Sequence, residues 1–354
     1  MKPIFKNSCS KVKQTNIMRT VFTLIIVIFI IDVQSYAQVT KSGTTAASFL
    51  KIGVGSKATA MGESFVAVAD DASAVFWNPA GITQLERSEA FFSHIEWLAD
   101  MSYESVSVVT PLGANSAVAI WANSLSVPED IVRTVFQPEG TGERFSANML
   151  SLGATYSRNL TDRFSLGGSV KYIREAIWTM QAATVAIDVG TLYRSDYRSM
   201  KIGIALSNFG AKMKMSGRAN LLFVDPDPSI VGNNDKIRAE LQLDEWELPL
   251  MMRAGVAFNL IESEFSRLTI AANQNFPSDN KEYFNIGGEY SFSEMIFIRA
   301  GFRGSGIDEA EGGLSLGGGV RINLAGNTSL MVDYAYTDWG ILNQVNRFSL
   351  SANF

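Results

Sequence analysis

The sequence predicts an all-β protein, a 14-stranded antiparallel transmembrane β-barrel with an N-terminal plug or hatch. Three observations lead to this fold class. Short segments of alternating apolar and polar residues recur from about residue 88 to the end of the chain. The mean hydropathy of +0.09 and the hydrophobic content of 47% are high for an exported soluble protein. Residues 58–81, in contrast, are apolar and rich in small side chains but do not alternate.

The first 37 residues are predicted to be a secretory signal peptide. Basic and polar residues precede the apolar residues 21–31, and the small residues Ser35 and Ala37 then occupy the positions that a signal peptidase reads. We expect cleavage after Ala37. A membrane anchor is the alternative, but the apolar stretch is shorter than the ~20 residues that a spanning helix needs.

The plug, assigned to residues 38–87, is predicted from local chemistry. Asp70 and Asp71 precede a short apolar run, which is an N-cap signal for a helical turn, and Asn78-Pro79 ends that turn. An ordinary capped helix is the alternative. The predicted plug residues are Asp70, Asp71, Trp77, Asn78, Pro79, Ala80 and Gly81.

The barrel is assigned to residues 88–354. The predicted strands are residues 88–96, 103–111, 115–124, 146–158, 164–174, 184–195, 200–208, 250–260, 267–276, 282–292, 296–304, 312–323, 328–337 and 346–354. Short connections fall at every second junction, whereas the two longest, residues 125–145 and 209–249, fall at the others. Short periplasmic turns and longer external loops are typical of outer-membrane barrels, so we expect both termini in the periplasm of a Gram-negative cell.

The alternation predicts which polar side chains face the lumen: Lys171, Arg299, Arg303, Arg321 and Asp333. A barrel of this size is wide enough to conduct ions if its lumen is empty. We therefore expect the plug to fill it, with Asp70 and Asp71 paired to the lumenal arginines. The glycines between residues 312 and 319 lie within a strand, and they are interpreted as positions where the plug backbone approaches the wall.

Enzymatic activity is not predicted, because no catalytic set of residues is present. His94 is the only histidine, and we expect it to face the lumen or the barrel end; a serine–histidine hydrolase would need a serine and a third group beside it. Asp308, Glu309 and Glu311 lack the alternating spacing of a cation-binding loop. The only cysteine, Cys9, lies in the signal peptide. The sequence therefore predicts no catalytic residue, no metal and no cofactor. A net charge of −5 without a basic patch argues against nucleic acid, and we expect no nucleic-acid partner.

Residues 48–81, SFLKIGVGSKATAMGESFVAVADDASAVFWNPAG, resemble the N-terminal signature of the FadL-like barrels, and most closely of their PorV/PorQ branch. PEGTGERFSA at 138–147, LTDRFSLGGSVKYI at 160–173 and the ending NRFSLSANF are also similar to that branch. The resemblance implies a fourteen-stranded barrel with an N-terminal hatch. It also implies that Asn78, Pro79 and Ala80 form the Asn-Pro-Ala element of that hatch.

The resemblance implies a non-enzymatic role in type IX protein secretion, with secretion-system proteins or exported cargo as partners besides outer-membrane lipid. The alternative is a FadL-like transporter that passes a hydrophobic small molecule through the lumen. The connection at residues 209–249 carries basic residues at its start and acidic residues at its end. We interpret it as a lid or a docking surface, with a mobile surface loop as the alternative.

Overall fold

The computed structural model describes residues 41–227, 229, 236–305, 313–324 and 327–354. The predicted signal peptide, the acidic residues Asp308, Glu309 and Glu311, and Gly312 lie outside the described residues. Across the described ranges, none of the helices combines the length and the apolar character needed to cross a membrane.

Fourteen antiparallel strands close into a barrel, as the alternation predicts. The strands are β1 (Glu89–Glu96), β2 (Ser102–Leu112), β3 (Ser116–Ile131), β4 (Arg144–Thr161), β5 (Phe164–Ile177), β6 (Met180–Arg194), β7 (Lys201–Gly210), β11 (Met251–Glu262), β12 (Ser266–Pro277), β13 (Tyr283–Phe292), β14 (Ile296–Ser305), β15 (Leu314–Asn323), β16 (Ser329–Asp338) and β17 (Gln344–Asn353). Each strand pairs with the next one of this series, and β17 pairs with β1 to close the ring.

Three short strands lie in the connection between β7 and β11. The strand β8 (Ser216–Gly217) pairs with the start of β6. The strands β9 (Leu221–Val224) and β10 (Ile237–Glu240) form a separate hairpin. The predicted long loop at residues 209–249 therefore contains regular structure, although its sequence shows mainly turn-forming residues.

The two faces of each strand differ in burial as predicted. On β16, Val332 and Tyr334 are exposed, whereas Asp333 and Ala335 are buried. Val332 lies opposite Val320 of β15 and Leu350 of β17, which are also exposed. An apolar outer face and a polar inner face are what a barrel in a lipid bilayer requires.

The barrel has two ends that differ in their connections. At the turn end, the strands are joined by short turns, such as residues 113–115 and 195–200. At the loop end lie the longest connections, residues 132–143 and 211–250. The long strands β3 to β6 continue furthest toward the loop end, because their extra residues lie on the side of these connections.

The two ends of the described chain lie at opposite ends of the barrel. At the turn end, the Phe354 N–H donates to the Ser88 carbonyl at 2.9 Å. At the loop end, the Ala46 N–H donates to the carbonyl of Glu247, a residue of the β7–β11 connection, at 2.9 Å. The sequence predicts both termini on one side because the plug has to lead into β1. The plug does lead into β1, but the chain reaches it from the loop end.

The cost of a charged side chain on the apolar outer face depends on its depth in the bilayer, which gives a first prediction. Val332→Arg, in the middle of β16, should destabilise the inserted barrel by roughly 2–4 kcal/mol, because it places a cation near the bilayer midplane. Leu324→Arg, at the turn end, is the control and should cost about 0–1 kcal/mol. Urea titration of both variants in lipid vesicles measures the difference. Equal destabilisation by the two variants would contradict this placement of the membrane.

Candidate functional site

Residues 53–85, here called the plug segment, are almost entirely buried although they form only short helical turns. The turns are Ser56–Ala60, Ala72–Phe76 and Pro79–Gln84. Asp71 caps the second turn by accepting a hydrogen bond from the Ser73 N–H at 2.9 Å, as predicted from the sequence. Asn78 caps the third turn in the same way through the Ala80 N–H at 3.1 Å.

The plug segment contacts all fourteen strands of the barrel. Hydrogen bonds or ion pairs join it to β1, β2, β4, β5, β6, β12, β14 and β17. Close packing joins it to β3, β7, β11, β13, β15 and β16. A segment that is buried and touches every strand of a closed ring lies inside that ring.

Asn78 is the most fully bonded residue of the predicted plug set. Its Nδ2 donates to the carbonyl of Val66 within the plug segment at 2.8 Å and to the carbonyl of Thr191 on β6 at 3.0 Å. The next carbonyl, that of Pro79, accepts a hydrogen bond from Ser157 Oγ of β4 at 2.6 Å. The Asn-Pro-Ala element therefore fastens the plug segment to the wall on both sides of β5.

Trp77, Ala80 and Gly81 complete the predicted plug set, and each is buried. The Trp77 Nε1–H donates to the carbonyl of Val54 at 2.9 Å, and Arg253 of β11 lies 5.3 Å from the Trp77 ring centroid. Gly81 packs against the backbone of Ala69, where a Cβ would overlap. These contacts hold separate turns of the plug segment together.

Glycines of the wall form the surface on which the plug segment rests. Three pairs of them lie opposite each other on neighbouring strands: Gly167/Gly190, Gly203/Gly255 and Gly287/Gly301. A Cβ on Gly167 would lie 2.5 Å from backbone atoms of Pro79 and Ala80. A Cβ on Gly317 would lie 2.6 Å from Ala60 Cβ, so the interpretation of this glycine cluster holds for Gly317. Gly318 and Gly319 approach neighbouring strands instead.

The ion pairs of Asp70 and Asp71 differ from the prediction. Both carboxylates face Lys57 of the plug segment, with Lys57 Nζ 2.6 Å from Asp70 and 3.9 Å from Asp71, and neither pairs with a lumenal arginine. Burial lowers the pKa of Lys57, but the combined attraction of Asp70, Glu289 and Asp71 outweighs this effect, so the pKa is raised. Burial raises the pKa of Asp71. Its carboxylate lies farther from Lys57 than that of Asp70, so the lysine compensates its charge less. The turn at residues 58–69 folds back and brings these charges together, which the sequence pattern does not reveal.

The predicted lumenal polar residues all lie on the inner face of their strands. Lys171 Nζ binds Asp188 at 2.7 Å, and Arg299 binds Glu289 at 2.6 Å and Asp333 at 2.5 Å. Only Arg303 pairs with the plug segment, through Glu63 at 2.9 Å. Arg321 lies at the turn end, 3.8 Å from Glu294. The wall therefore neutralises most of its charges within itself.

His94 lies on the outer face of β1, not in the lumen. Its Nδ1 lies 3.2 Å from Glu104 Oε1 on β2, and the neighbouring Ser93 points to the opposite face. Because the side chains of consecutive strand residues alternate, His94 cannot share the inner face with Ser93. Within the described residues, His94 has no serine hydrogen-bonded to it and no cluster of potential metal ligands is present.

A cavity of about 640 Å³ lies at the loop end, beside the first described residues. Its wall includes the backbone of residues 45–49, the apolar side chains of Met101, Leu125 and Met149, and two tryptophans. The rings of Trp97 and Trp339 meet edge to face with centroids 5.2 Å apart. Sequence reasoning missed this cavity, because its residues come from strand ends and loops that no periodic pattern connects.

The model of the family described as "Type IX secretion system protein PorV" matches residues 35–276 of the sequence. The chain belongs to the PorV family. The match includes the plug segment and the strands from β1 to β12. A search of curated proteins finds no match for this PorV family member.

Solved structures of FadL-like barrels share the fold of this PorV family member. The CymD monoaromatic hydrocarbon channel aligns with a TM-score of 0.55 and 14% identity over 85% of this chain and 98% of its own. The Ralstonia pickettii toluene transporter TbuX aligns with a TM-score of 0.55 and 13% identity, over 85% of this chain and 98% of its own. A Pseudomonas aeruginosa FadL homologue aligns with a TM-score of 0.52 and 12% identity, over 82% of this chain and 95% of its own. At these identities the similarity shows the fold alone.

The close approach at Gly167 gives a second prediction. Gly167→Ala should destabilise the protein by about 1–3 kcal/mol, the usual cost of overpacking, because the added methyl meets the plug backbone. Gly168→Ala is the matched control, since its Cβ would meet nothing closer than the Asp188 carbonyl at 3.7 Å. Thermal unfolding and protease cleavage of the plug segment both report the change. Identical behaviour of the two variants would argue against the close contact.

Proposed function

We propose that this PorV family member is a non-enzymatic outer-membrane protein that binds partner proteins of type IX secretion at the loop end of its barrel. The attachment of the plug segment to all fourteen strands supports the proposal most directly. A lumen filled in this way leaves little room for a permeating molecule. The surfaces through which the protein acts are then its outer face and its loop end.

Exposed apolar side chains at the loop end support a docking role. Val135 and Phe136, at the tip of the β3–β4 hairpin, are 93% and 95% exposed. Phe223 of the β9–β10 hairpin and Ile341 of the β16–β17 turn are also exposed. Large apolar side chains that extend into water are typical of protein–protein interfaces, where aromatic residues are enriched.

Transport of a hydrophobic small molecule is the second candidate, and the cavity at the loop end is the observation that favours it. The cavity volume lies within the ~300–1,000 Å³ usual for small-molecule sites. Ile52 lines both this cavity and a smaller one beside Trp77, and the next residues of the plug segment lie between them, with Trp77 bonded to the carbonyl of Val54. A molecule bound there would have to displace the plug segment to go further. We therefore favour docking over transport.

The docking proposal predicts a loss of partner binding on substitution of the hairpin tip. Val135→Ser with Phe136→Ser should reduce co-purification of type IX secretion proteins by at least about tenfold, because buried aromatic anchors dominate interface energies. Glu139→Gln, in the same connection, is the control. The measurement is affinity purification from native outer membranes together with delivery of a type IX cargo to the cell surface. Normal co-purification and delivery by the double variant would contradict docking at this tip.

The closed lumen predicts a conductance change. A mature chain that begins at Glu86 lacks the plug segment and should form a barrel that conducts ions in a planar bilayer, because an unfilled barrel of this size leaves a water-filled lumen. The full mature chain should remain closed under the same conditions. A gel shift on heating checks that both forms fold. A folded truncated barrel that stays closed would show that something other than the plug segment seals it.

A further inference from the structure

Two buried charges beside the cavity at the loop end have no ion pair within the described part of the chain. Three other charges of the cavity wall are paired: Lys51 with Asp279 at 2.6 Å, and Arg303 with Glu63 at 2.9 Å. Asp338 is exposed to water and accepts the Gly340 N–H. Among the described residues, Glu175 and Arg347 have no oppositely charged group within 4.0 Å.

Glu175 is the negative group. It lies on the inner face of β5, is 8% exposed and forms part of the cavity wall. The backbone N–H of Ala47, another residue of the cavity wall, lies near enough to favour its charged form. A carboxylate that is buried with one neutral donor and no cation is poorly compensated, so it favours a cationic ligand group.

Arg347 is the positive group. It lies on the inner face of β17 and is 1% exposed, directly behind Thr337 and Trp97 of the cavity wall. Its Nη1 donates to Thr337 Oγ1 at 2.8 Å, and its Cζ lies 5.8 Å from the Trp97 ring centroid. An arginine stays protonated in proteins, so this charge requires an anion nearby for full compensation.

Two buried N–H donors, one on Arg347 and one on Trp339, have no acceptor among the described residues. They are Arg347 Nε and Trp339 Nε1. Arg303 Cζ lies 4.8 Å from the Trp339 ring centroid, which brings a second guanidinium to the same corner. Since Glu63 pairs with Arg303, Arg347 is the guanidinium of this corner that has no carboxylate partner among the described residues. This corner matches an anionic group with several acceptor atoms, such as a carboxylate.

We propose that the loop-end cavity binds a small zwitterion, with its ammonium group against Glu175 and its carboxylate in the corner of Arg303, Arg347 and Trp339. The strands β5 and β17 are separated around the ring by β1 to β4, so Glu175 and Arg347 lie on different sides of the cavity. Leu125 and Met149, from β3 and β4, line the wall between them and suit an apolar middle. A short peptide has this chemistry.

The proposal differs from hydrocarbon transport and is independent of partner docking. A hydrocarbon in this cavity would leave Glu175 and Arg347 buried and uncompensated, which is costly for both. A zwitterion compensates both at once without changing the net charge of the site. Partner docking involves the exposed hairpin tips instead, so either idea can fail without the other.

Capped peptides test the proposal on the full mature protein in detergent. The probe is trialanine. N-acetyl-trialanine lacks its ammonium charge, and trialanine amide lacks its carboxylate charge. Calorimetry gives the Kd of each peptide. We expect saturable binding of trialanine, and each cap should weaken it at least about tenfold. Glu175→Gln should abolish the effect of the acetyl cap, and Arg347→Gln should abolish the effect of the amide cap. Arg174→Gln, on the outer face beside Glu175, is the control and should behave like the wild type.

Several outcomes would overturn the proposal. They are an absence of saturable trialanine binding, equal binding of all three peptides by the wild type, and persistence of the acetyl effect in Glu175→Gln. The three-peptide comparison on the wild type tests the proposal even when Arg347→Gln fails to fold. Arg347→Lys then replaces it, and it should retain a weakened preference for the free carboxylate because it keeps the charge.

Discussion

The structure depends on direct contact between the backbone of the plug segment and wall positions that have no Cβ. Glycine is the only residue that allows such an approach. Where two glycines lie opposite each other on neighbouring strands, both wall positions lack a Cβ and the plug backbone can approach both. The contact joins two kinds of structure that satisfy their backbone hydrogen-bonding groups differently. The strands satisfy their backbone groups in the ladder, whereas the plug segment has only short turns and relies on the wall, as the Pro79 carbonyl does on Ser157.

Charge placement follows from the same arrangement. A buried charge has to be paired, and in this molecule most pairs lie either within the wall or within the plug segment, as Arg299 with Asp333 and Lys57 with Asp70. Only Arg303 and Glu63 join the two parts by an ion pair in the described residues, and they do so beside the loop-end cavity. Glu175 and Arg347, which have no ion pair among the described residues, lie beside that cavity. The buried Glu89 at the turn end, in contrast, accepts the Ala72 N–H of the plug segment at 2.9 Å.

The sequence predicts the barrel well because a period of two is a local signal. Each predicted strand overlaps one strand of the ring, and Lys171 and Asp333 lie on the predicted face. The candidate site is less predictable, because pairing between distant residues has no periodic signature. Asp70 is predicted to lie near wall arginines and instead meets Lys57, thirteen residues earlier. His94 does not face the lumen, and the first described residues lie at the opposite end of the barrel from Phe354. Both features are hard to predict for a related reason, since face and barrel end depend on register and on the path of the chain.

The position of the first described residues links the plug segment to the closure of the ring. Residues 45–49 lie at the loop end, yet the chain that follows has to reach the turn end before β1 begins. The ring closes only when β17 pairs with β1, the last strand with the first. The same strand β17 accepts a hydrogen bond from the plug segment, since the Ser56 N–H donates to Ser349 Oγ at 2.9 Å. The strand that completes the barrel at the end of the chain therefore also holds the segment that the chain lays down before its first strand.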